Sequence, residues 1–284
     1  MNFKPVDMQL LDVISNIKSI PAGAINIRRD GEPVIRQSSP NIRIGTNADN
    51  NGLLVEIKPG TRDETVHVPV IVTKAGFHDK VYNTFVVGED ADVTIIAGCG
   101  IHNDGHSDTG HDGIHEIIVK KGARMKYAEK HYGEGNGQGK RILNPTTNIF
   151  LETGAIAEME MVQIKGVDDT IRTTIAHIGD KASLKIVERL MTHGEQKAVS
   201  DVRLYIEGQG GSGQILSRSV GRDDSVQVFK AALVGQNECL GHVECDAIIM
   251  DKARIQSIPE LIAENAEAVL THEAAIGKIA GEQL

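Results

Sequence analysis

The sequence predicts a mainly β protein in which short strands stack as the coils of a solenoid. From about residue 23 to residue 255, apolar residues recur with period two, in stretches rich in Val, Ile and Thr. Turn signals such as Gly88-Glu89-Asp90 and Lys121-Gly122 separate these stretches. Apolar residues make up 40% of the chain but aromatic residues only 3%, and there is no Trp. Such a core of small branched side chains suits the narrow interior of stacked β-coils.

A weak internal repeat supports the solenoid. Its form is a turn, then an alanine, then alternating apolar residues. The alanines of the repeat are Ala91, Ala123, Ala155, Ala182 and Ala253. The first three spacings are 32, 32 and 27 residues, and the last gap of 71 residues has room for a missing repeat near residues 212–214. Repeats of this length favour a β-solenoid over a β-sandwich or jelly roll, which has many short strands but no fixed period.

Helices are predicted at both ends. Asp7 is a suitable cap for a short helix in which Leu10, Leu11, Ile14 and Ile17 share one face. The C-terminal stretch is rich in Ala, Glu and Leu, which predicts a second helix.

Thr271 is a suitable N-cap for this second helix, and Glu273 and Glu282 would lie on its surface. We therefore expect three regions. They are an N-terminal helix with lead-in strands in 1–79, the solenoid core in 80–260, and the start of a C-terminal helical region in 261–284.

Charge and composition exclude several classes of protein. The net charge of −9 argues against a nucleic-acid partner, which would require clustered Lys and Arg. The sequence has no run of about 18 apolar residues for a membrane span, and its N-terminus lacks the pattern of a signal peptide. The three cysteines Cys99, Cys239 and Cys245 predict reduced thiols in a cytoplasmic protein rather than a disulfide framework.

The densest group of residues with metal-ligand chemistry runs from Cys239 to Asp251. If this segment is a strand, Glu244 and Asp246 point to one face and Cys245 to the other. Thiolate, imidazole and carboxylate groups are ligands of zinc and iron sites, although the spacing of the two cysteines is not that of a zinc finger. From the residues alone, an inert buried thiol explains Cys245 equally well.

Two weaker groups lie elsewhere. The pair His272-Glu273 precedes the predicted C-terminal helix, and taken alone it is better explained as a surface helix cap. The glycine-rich stretch from Gly98 to Val119 contains Cys99 and four histidines. This stretch is either a metal-binding tract or a mobile polar loop, and the second explanation is weaker for His111 and His115, which enter a predicted strand.

Several segments resemble the SufB/SufD family of iron–sulfur cluster assembly proteins. GHVECDAIIMDKARIQSIPEL followed by LTHEAAIGKIAGEQL is similar to the C-terminal signature of that family. SRSVGRDDSVQVFKAALVG resembles the segment before it, and AGCGIHN and HDGIHEIIVKKGARMKYAEKHYGEG resemble the central stretch. The resemblance runs from about residue 80 to the end and is strongest to the short SufB-like proteins of archaea and anaerobic bacteria.

The resemblance implies a right-handed parallel β-helix flanked by helical pieces. It implies a scaffold for a transient iron–sulfur cluster, not an enzyme acting alone. The implied partners are a SufC-type ABC ATPase, a second scaffold chain in a homodimer or SufB/SufD-like heterodimer, and apo acceptor proteins. Family members continue past the EQL motif at 282–284 into helices that dock the ATPase, so we expect a C-terminal tail to be missing here.

The resemblance also assigns residues. The scaffold cysteine of the family matches Cys245, and its assembly histidine and acidic neighbour match His272 and Glu273. A second implicated cysteine matches Cys99, and His111 matches a histidine of the central stretch.

These residues lead to a prediction about geometry. Cys245 and His272 are separated by about one repeat, so in a solenoid they are expected to lie close together on one side of neighbouring coils. An imidazolium beside it would lower the pKa of the Cys245 thiol, and Glu244 is a further candidate metal ligand. Cys99 lies several coils away, where we expect a separate site at which sulfur enters.

Two other functions are alternatives to the scaffold function. A β-helical polysaccharide lyase or hydrolase usually has a groove lined with aromatic residues, and this chain has no Trp and four Tyr. A structural solenoid would use the His-rich stretch to bind zinc without sulfide.

The unpaired end of a solenoid also predicts dimerisation near residues 215–250.

Overall fold

The structure, a computed structural model, describes residues 3–47 and 52–279. Helix α1 is Pro5–Ser15. The strands in chain order are β1 Ala24–Arg29, β2 Glu32–Gln37, β3 Ile42–Thr46, β4 Gly52–Ile57, β5 Arg62–Val72, β6 His78–Val87, β7 Asp92–His102, β8 Thr109–Val119, β9 Arg124–Glu134, β10 Arg141–Leu143, β11 Thr146–Leu151, β12 Ile156–Lys165, β13 Asp169–Ile178, β14 Ser183–Thr192, β15 Lys197–Ile206, β16 Gly211–Gly221, β17 Val226–Gly235, β18 Cys239–Met250, β19 Arg254–Ala263 and β20 Ala268–Ile279.

From β5 onward the chain alternates between two sheets, so each coil contributes to both. The first sheet has the order β2-β1-β5-β7-β9-β12-β14-β16-β18-β20, and the second has β19-β17-β15-β13-β10-β8-β6-β4-β3, with β11 between β8 and β13. Among the described strands only the hairpins β1–β2 and β3–β4 pair antiparallel. The predicted parallel β-solenoid is confirmed, and the sandwich alternative, which requires antiparallel sheets, is excluded.

Small residues form a column at one corner of the solenoid, immediately before the strands of the first sheet. Its first four members are the buried alanines Ala91, Ala123, Ala155 and Ala182. The pairing places Gly211, Cys239 and Ala268 next in this column, so the repeat expected near residues 212–214 is confirmed. Ala253 instead precedes β19 in the second sheet. The gap of 71 residues therefore joins two different corners.

Helix α1 packs on the outer face of the first sheet. The Asp7 carboxylate accepts a hydrogen bond from the Lys4 backbone at 2.8 Å, which places Asp7 in the first turn rather than at the N-cap. Gly98 of β7 permits the close approach, because a Cβ there would lie 2.8 Å from the Ile14 carbonyl oxygen. In the described part of the chain, no helix has the length and apolar character needed to cross a membrane.

The predicted C-terminal helix is wrong in the described residues. Ala268–Ile279 forms strand β20, which pairs with β18 along its whole length. Helix propensity is a weak preference, and here it is overridden by pairing and by Ala268 and Leu270, which pack against the core. Glu282, expected on the helix surface, lies outside the described residues. Parallel stacking thus begins before residue 80 and continues beyond residue 260.

Candidate functional site

Strand β18 carries the densest group of candidate ligands. Its side chains alternate between the two faces of the sheet, so Cys245 points into the solenoid and is 1% exposed. Glu244 and Asp246 point outward, as the sequence predicts. Both carboxylates bind Arg218 of β16, at 2.6 Å for Glu244 and 3.4 Å for Asp246.

Cys245 and His272 lie on neighbouring strands, as expected. His272 pairs in register with Val243, two residues before Cys245, while Cys245 itself pairs with Ala274. Because paired residues of parallel strands point to the same face, His272 shares the inner face with Cys245. Strand and residue spacings place the two Cα atoms roughly 8 Å apart. The offset arises because one full coil brings Cys245 beside Ala274, and His272 comes two residues before Ala274 in the chain.

Glu273 lies on the opposite face from His272. It pairs in register with Glu244, so the two carboxylates sit side by side on the outside of the sheet. Of the four candidate ligands at this end, Cys245 alone is buried. His272 is exposed on the inner side of the sheet, and the two carboxylates lie on the outer side. Within residues 3–47 and 52–279, no three His, Cys, Asp or Glu side chains converge to hold a metal ion.

The electrostatics of Cys245 differ from the sequence expectation. Burial raises the pKa of its thiol, a nearby Ser257 hydroxyl opposes this effect, and the charges of Asp246 and Glu188 add to it. The predicted lowering of this pKa by an imidazolium is therefore wrong for the isolated chain. His272 is displaced along the strand and exposed, while the thiol itself is buried.

Cys99 lies on β7, five strands before β18 in the first sheet. That separation corresponds to roughly 24 Å along the solenoid axis. Its side chain faces inward and is 3% exposed. Burial, followed by the charges of Asp79 and Glu129, holds the pKa of the Cys99 thiol well above its usual range. The two cysteines are therefore well separated along the solenoid, as expected.

His111 lies close to Cys99 inside the solenoid. Its Nδ1 atom is 3.3 Å from the Asp79 carboxylate, which also accepts a 2.9 Å hydrogen bond from Arg28. Burial alone would raise the pKa of Asp79, but the hydrogen bonds and charges of His111 and Arg28 lower it strongly. The sequence correctly places His111 in a strand rather than in a mobile loop.

A buried polar network continues from this point, and its extent was not predicted from the sequence. His131 Nε2 is 3.4 Å and His115 Nε2 is 3.9 Å from the Glu129 carboxylate. Burial would raise the pKa of Glu129, but the charge and hydrogen bond of His131 and the charge of Arg172 lower it strongly. Burial lowers the pKa of His115 to about 4, so this imidazole is neutral at neutral pH.

The network extends by one further coil. The Arg172 guanidinium lies 3.2 Å from His131 Nδ1 and 3.7 Å from the Glu188 carboxylate. The Ser200 hydroxyl donates to Glu188 at 2.8 Å. These side chains occupy inward positions of β9, β13, β14 and β15. Polar residues at the inward positions of strands were visible in the sequence, but only the pairing of distant strands shows that they meet.

Two small cavities lie along this network. One of about 20 Å³ is bounded by Cys99, His111 and Glu129 among others. Another of about 20 Å³ is bounded by Arg172 and Ser200 among others. Each is large enough for one water molecule.

Comparison with known proteins identifies a family for this sequence. The family model described as SUF system FeS cluster assembly, SufBD core domain, matches residues 72–284. The chain belongs to the SufBD family. Membership of the SufBD family implies a role in iron–sulfur cluster assembly.

Three relatives of this SufBD protein are described as iron–sulfur cluster assembly SufBD family proteins. One from Methanothermobacter thermautotrophicus is 28% identical over 238 residues, covering 82% of this chain and 57% of the relative. One from Archaeoglobus fulgidus is 27% identical over 243 residues, covering 84% and 64%. One from Pyrococcus horikoshii is 23% identical over 261 residues, covering 89% and 78%. The chain thus spans less than two thirds of the first two relatives.

Proposed function

We propose that this SufBD protein is a scaffold subunit on which a nascent iron–sulfur cluster is built, with iron and sulfide as its cargo. The observation that carries the proposal is the position of Cys245, a free thiol that faces the interior beside the strand bearing His272. Thiolates are the preferred ligands of such clusters, and four are usual. A site with fewer thiolates holds its cluster loosely, which suits transfer to apo acceptor proteins.

Cys245 and His272 are proposed as the inner ligands. Glu273 and Glu244 supply carboxylates on the outer face of the same two strands. Because no single chain brings these groups to one point, a partner chain at this end of the solenoid is proposed to complete the site. Deprotonation of Cys245 is then coupled to metal binding, since the ligand must be the thiolate.

The last coil provides a surface for that partner chain. Among the described strands, β20 pairs with β18 alone and β19 with β17 alone, so both are edge strands. Leu240 is 62% exposed, Val269 55% and Ile276 49%. Unpaired strand edges with exposed apolar side chains favour association.

We expect the purified chain to form a homodimer through this end, or a SufB/SufD-like heterodimer when a second family member is present. Pairing would cover the edge strands and the apolar side chains of the last coil. Light scattering across a concentration series should report twice the chain mass. A monomer at high concentration would count against the proposal, whereas a dimer formed elsewhere would refute only its location. The sequence-based location is near residues 215–250, and the edge strands extend the proposed contact to residues 254–279.

Cys99 is proposed as the site at which sulfur enters, with His111 as a candidate metal ligand beside it. The buried polar network begins at these residues and runs along the axis toward β15. It offers hydrogen-bonding groups to water and to hydrosulfide inside the solenoid. This continuity supports a connection between Cys99 and the C-terminal part of the solenoid.

A SufC-type ABC ATPase is proposed as the energy-supplying partner and the cytoplasm as the compartment. Both rest on the family, whose model is described as part of the SUF system. The scaffold itself is proposed to catalyse no reaction alone. Co-purification with a SufC-type ATPase tests the partnership, and failure of the full-length chain to bind it would contradict this part of the proposal.

His272→Ala should reduce cluster content after anaerobic reconstitution by about tenfold, because loss of one metal contact usually costs this much or more. The measurement is iron and acid-labile sulfide per chain. His102→Ala is the matched control. The His102 Nε2 atom lies 2.9 Å from the Asp104 carboxylate at the end of β7. The substitution should be nearly silent. Equal losses in both variants would show that His272 has no specific role.

A further inference from the structure

Two arginine side chains lie across the N-terminal end of the solenoid interior. Arg36 of β2 donates a 2.9 Å hydrogen bond to the Asn26 side chain of β1 and a 3.2 Å hydrogen bond to the Thr46 hydroxyl of β3. Arg28 of β1 donates two hydrogen bonds, of 2.9 and 3.0 Å, to the Asp79 carboxylate of β6. Strands β1 and β2 belong to the first sheet and β3 and β6 to the second, so both guanidinium groups bridge the two sheets.

The charges of these two arginines are not balanced. Arg28 is paired with the Asp79 carboxylate, whereas the side-chain partners of Arg36 in the described residues are both neutral. Burial, followed by the charge of Arg28, lowers the pKa of Arg36, but arginine is not deprotonated in proteins. Arg36 is exposed and Arg28 is 18% exposed, so an ion can reach both from solvent. Two cations thus share one carboxylate at this end.

The interior behind the arginines leads to Cys99. Arg28 pairs in register with Val70 of β5, and Val70 pairs with Cys99 of β7. Strand spacing places the Cα atoms of Arg28 and Cys99 roughly 10 Å apart. Val70, Cys99 and His111 all border the cavity of about 20 Å³ described above. Asp79, the partner of Arg28, lies 3.3 Å from His111, so the arginines are connected to the wall of this cavity.

We propose that Arg28 and Arg36 form a binding site for a small monovalent anion, and that hydrosulfide is the anion held there before it reaches Cys99. A guanidinium group is weakly hydrated and offers several donors, which suits an anion that has lost part of its water. A cleft with an excess of one charge also raises the local concentration of the opposite charge. The link to Cys99 rests on the function proposed above, but the anion site itself does not.

The test is a competition between chloride and hydrosulfide for the full chain, under anaerobic conditions at mildly alkaline pH. Bound chloride broadens the chloride-35 nuclear magnetic resonance line, and hydrosulfide should remove this broadening as it displaces chloride. Arg36→Gln should weaken hydrosulfide binding by about tenfold or more, because hydrogen bonds to charged groups usually contribute this much. An original chain without any broadening that hydrosulfide removes would overturn the site.

Arg43→Gln is the matched control. Arg43 lies on β3, is exposed and forms an ion pair with Glu56 on the adjacent strand β4. Exposed charges act weakly through salt solution, so this variant should bind hydrosulfide within about twofold of the original chain. Equal weakening in both variants would mean that binding follows the total charge of the chain. That result would overturn the site, as would unchanged binding in Arg36→Gln.

A second variant covers a failure to fold. If circular dichroism shows that Arg36→Gln does not fold, Arg36→Lys decides, because lysine keeps the charge and loses the planar fork of donors. We expect hydrosulfide binding about threefold weaker in this variant. Binding as tight as in the original chain would contradict a site built on the guanidinium group.

Cluster content, measured separately at limiting and at excess sulfide, tests the link to Cys99. Arg36→Gln should lower the content at limiting sulfide, and excess sulfide should restore it. Equal content in both chains at limiting sulfide would overturn delivery toward Cys99. Weaker hydrosulfide binding in Arg36→Gln, with no cluster formed by the original chain at any sulfide concentration, would keep the anion site and reject the scaffold role.

Discussion

Cys245→Ala is expected to abolish cluster assembly, leaving iron and acid-labile sulfide at background after anaerobic reconstitution. Cys245 is the thiol that faces the interior beside His272, and the substitution removes a preferred cluster ligand. The change is sterically mild, because alanine already occupies the paired position 274 on β20 and position 247 on the same face of β18. The fold should therefore persist while the site is lost.

Cys239→Ala is the matched control for this experiment. Cys239 is equally buried on the same strand, but its neighbours in the corner column are Gly211 and Ala268. Alanine fits such a column of small residues, so this variant should retain most of its cluster content. Full content in Cys245→Ala would make the proposed role of that residue untenable.

Arg172→Leu is expected to destabilise the fold by about 3–5 kcal/mol, the usual result of leaving one partner of a buried ion pair without the other. Arg172 lies between His131 and Glu188 in the interior, where its side chain is 8% exposed. Its removal leaves the Glu188 carboxylate buried with the Ser200 hydroxyl as its remaining donor in the described residues. Denaturant unfolding followed by circular dichroism measures the change.

Arg189→Leu is the matched control, one residue from Glu188 on the same strand but on the outer face. Its ion pair with Glu160 is half exposed on both sides. Exposed pairs of this kind contribute about 1 kcal/mol or less, so the control should unfold close to the original midpoint. A loss below about 1 kcal/mol in Arg172→Leu would show that the interior network tolerates an unpaired carboxylate, contrary to our account.

The features that the sequence predicted correctly depend on local patterns. Alternation along β18 is sufficient to place Cys245 inside and Glu244 and Asp246 outside, because successive side chains of a strand point to opposite faces. The repeated alanines similarly reveal a corner of the coil, since a small residue is needed where the chain turns. The entry of His111 into a strand follows from the same period-two pattern.

The features that the sequence could not predict depend on long-range pairing. Helix propensity in the last segment could not show that Ala268–Ile279 would pair with β18. The two-residue offset between Cys245 and His272 depends on the length of that one coil. Likewise, Glu129, Arg172 and Glu188 lie on three different strands, and their contact follows only from the complete stacking order.

The most direct test of the scaffold function is anaerobic reconstitution of the unmodified chain with ferrous iron and sulfide, followed by visible absorption and metal analysis. Our account predicts charge-transfer absorption of an iron–sulfur cluster, with iron and acid-labile sulfide in similar amounts and both lost on transfer to an apo acceptor protein. A parallel sample of the chain that is offered zinc without sulfide should take up no comparable amount of metal. A chain that takes up zinc alone, and forms no absorbing cluster with iron and sulfide, would contradict the scaffold and favour a structural metal-binding solenoid.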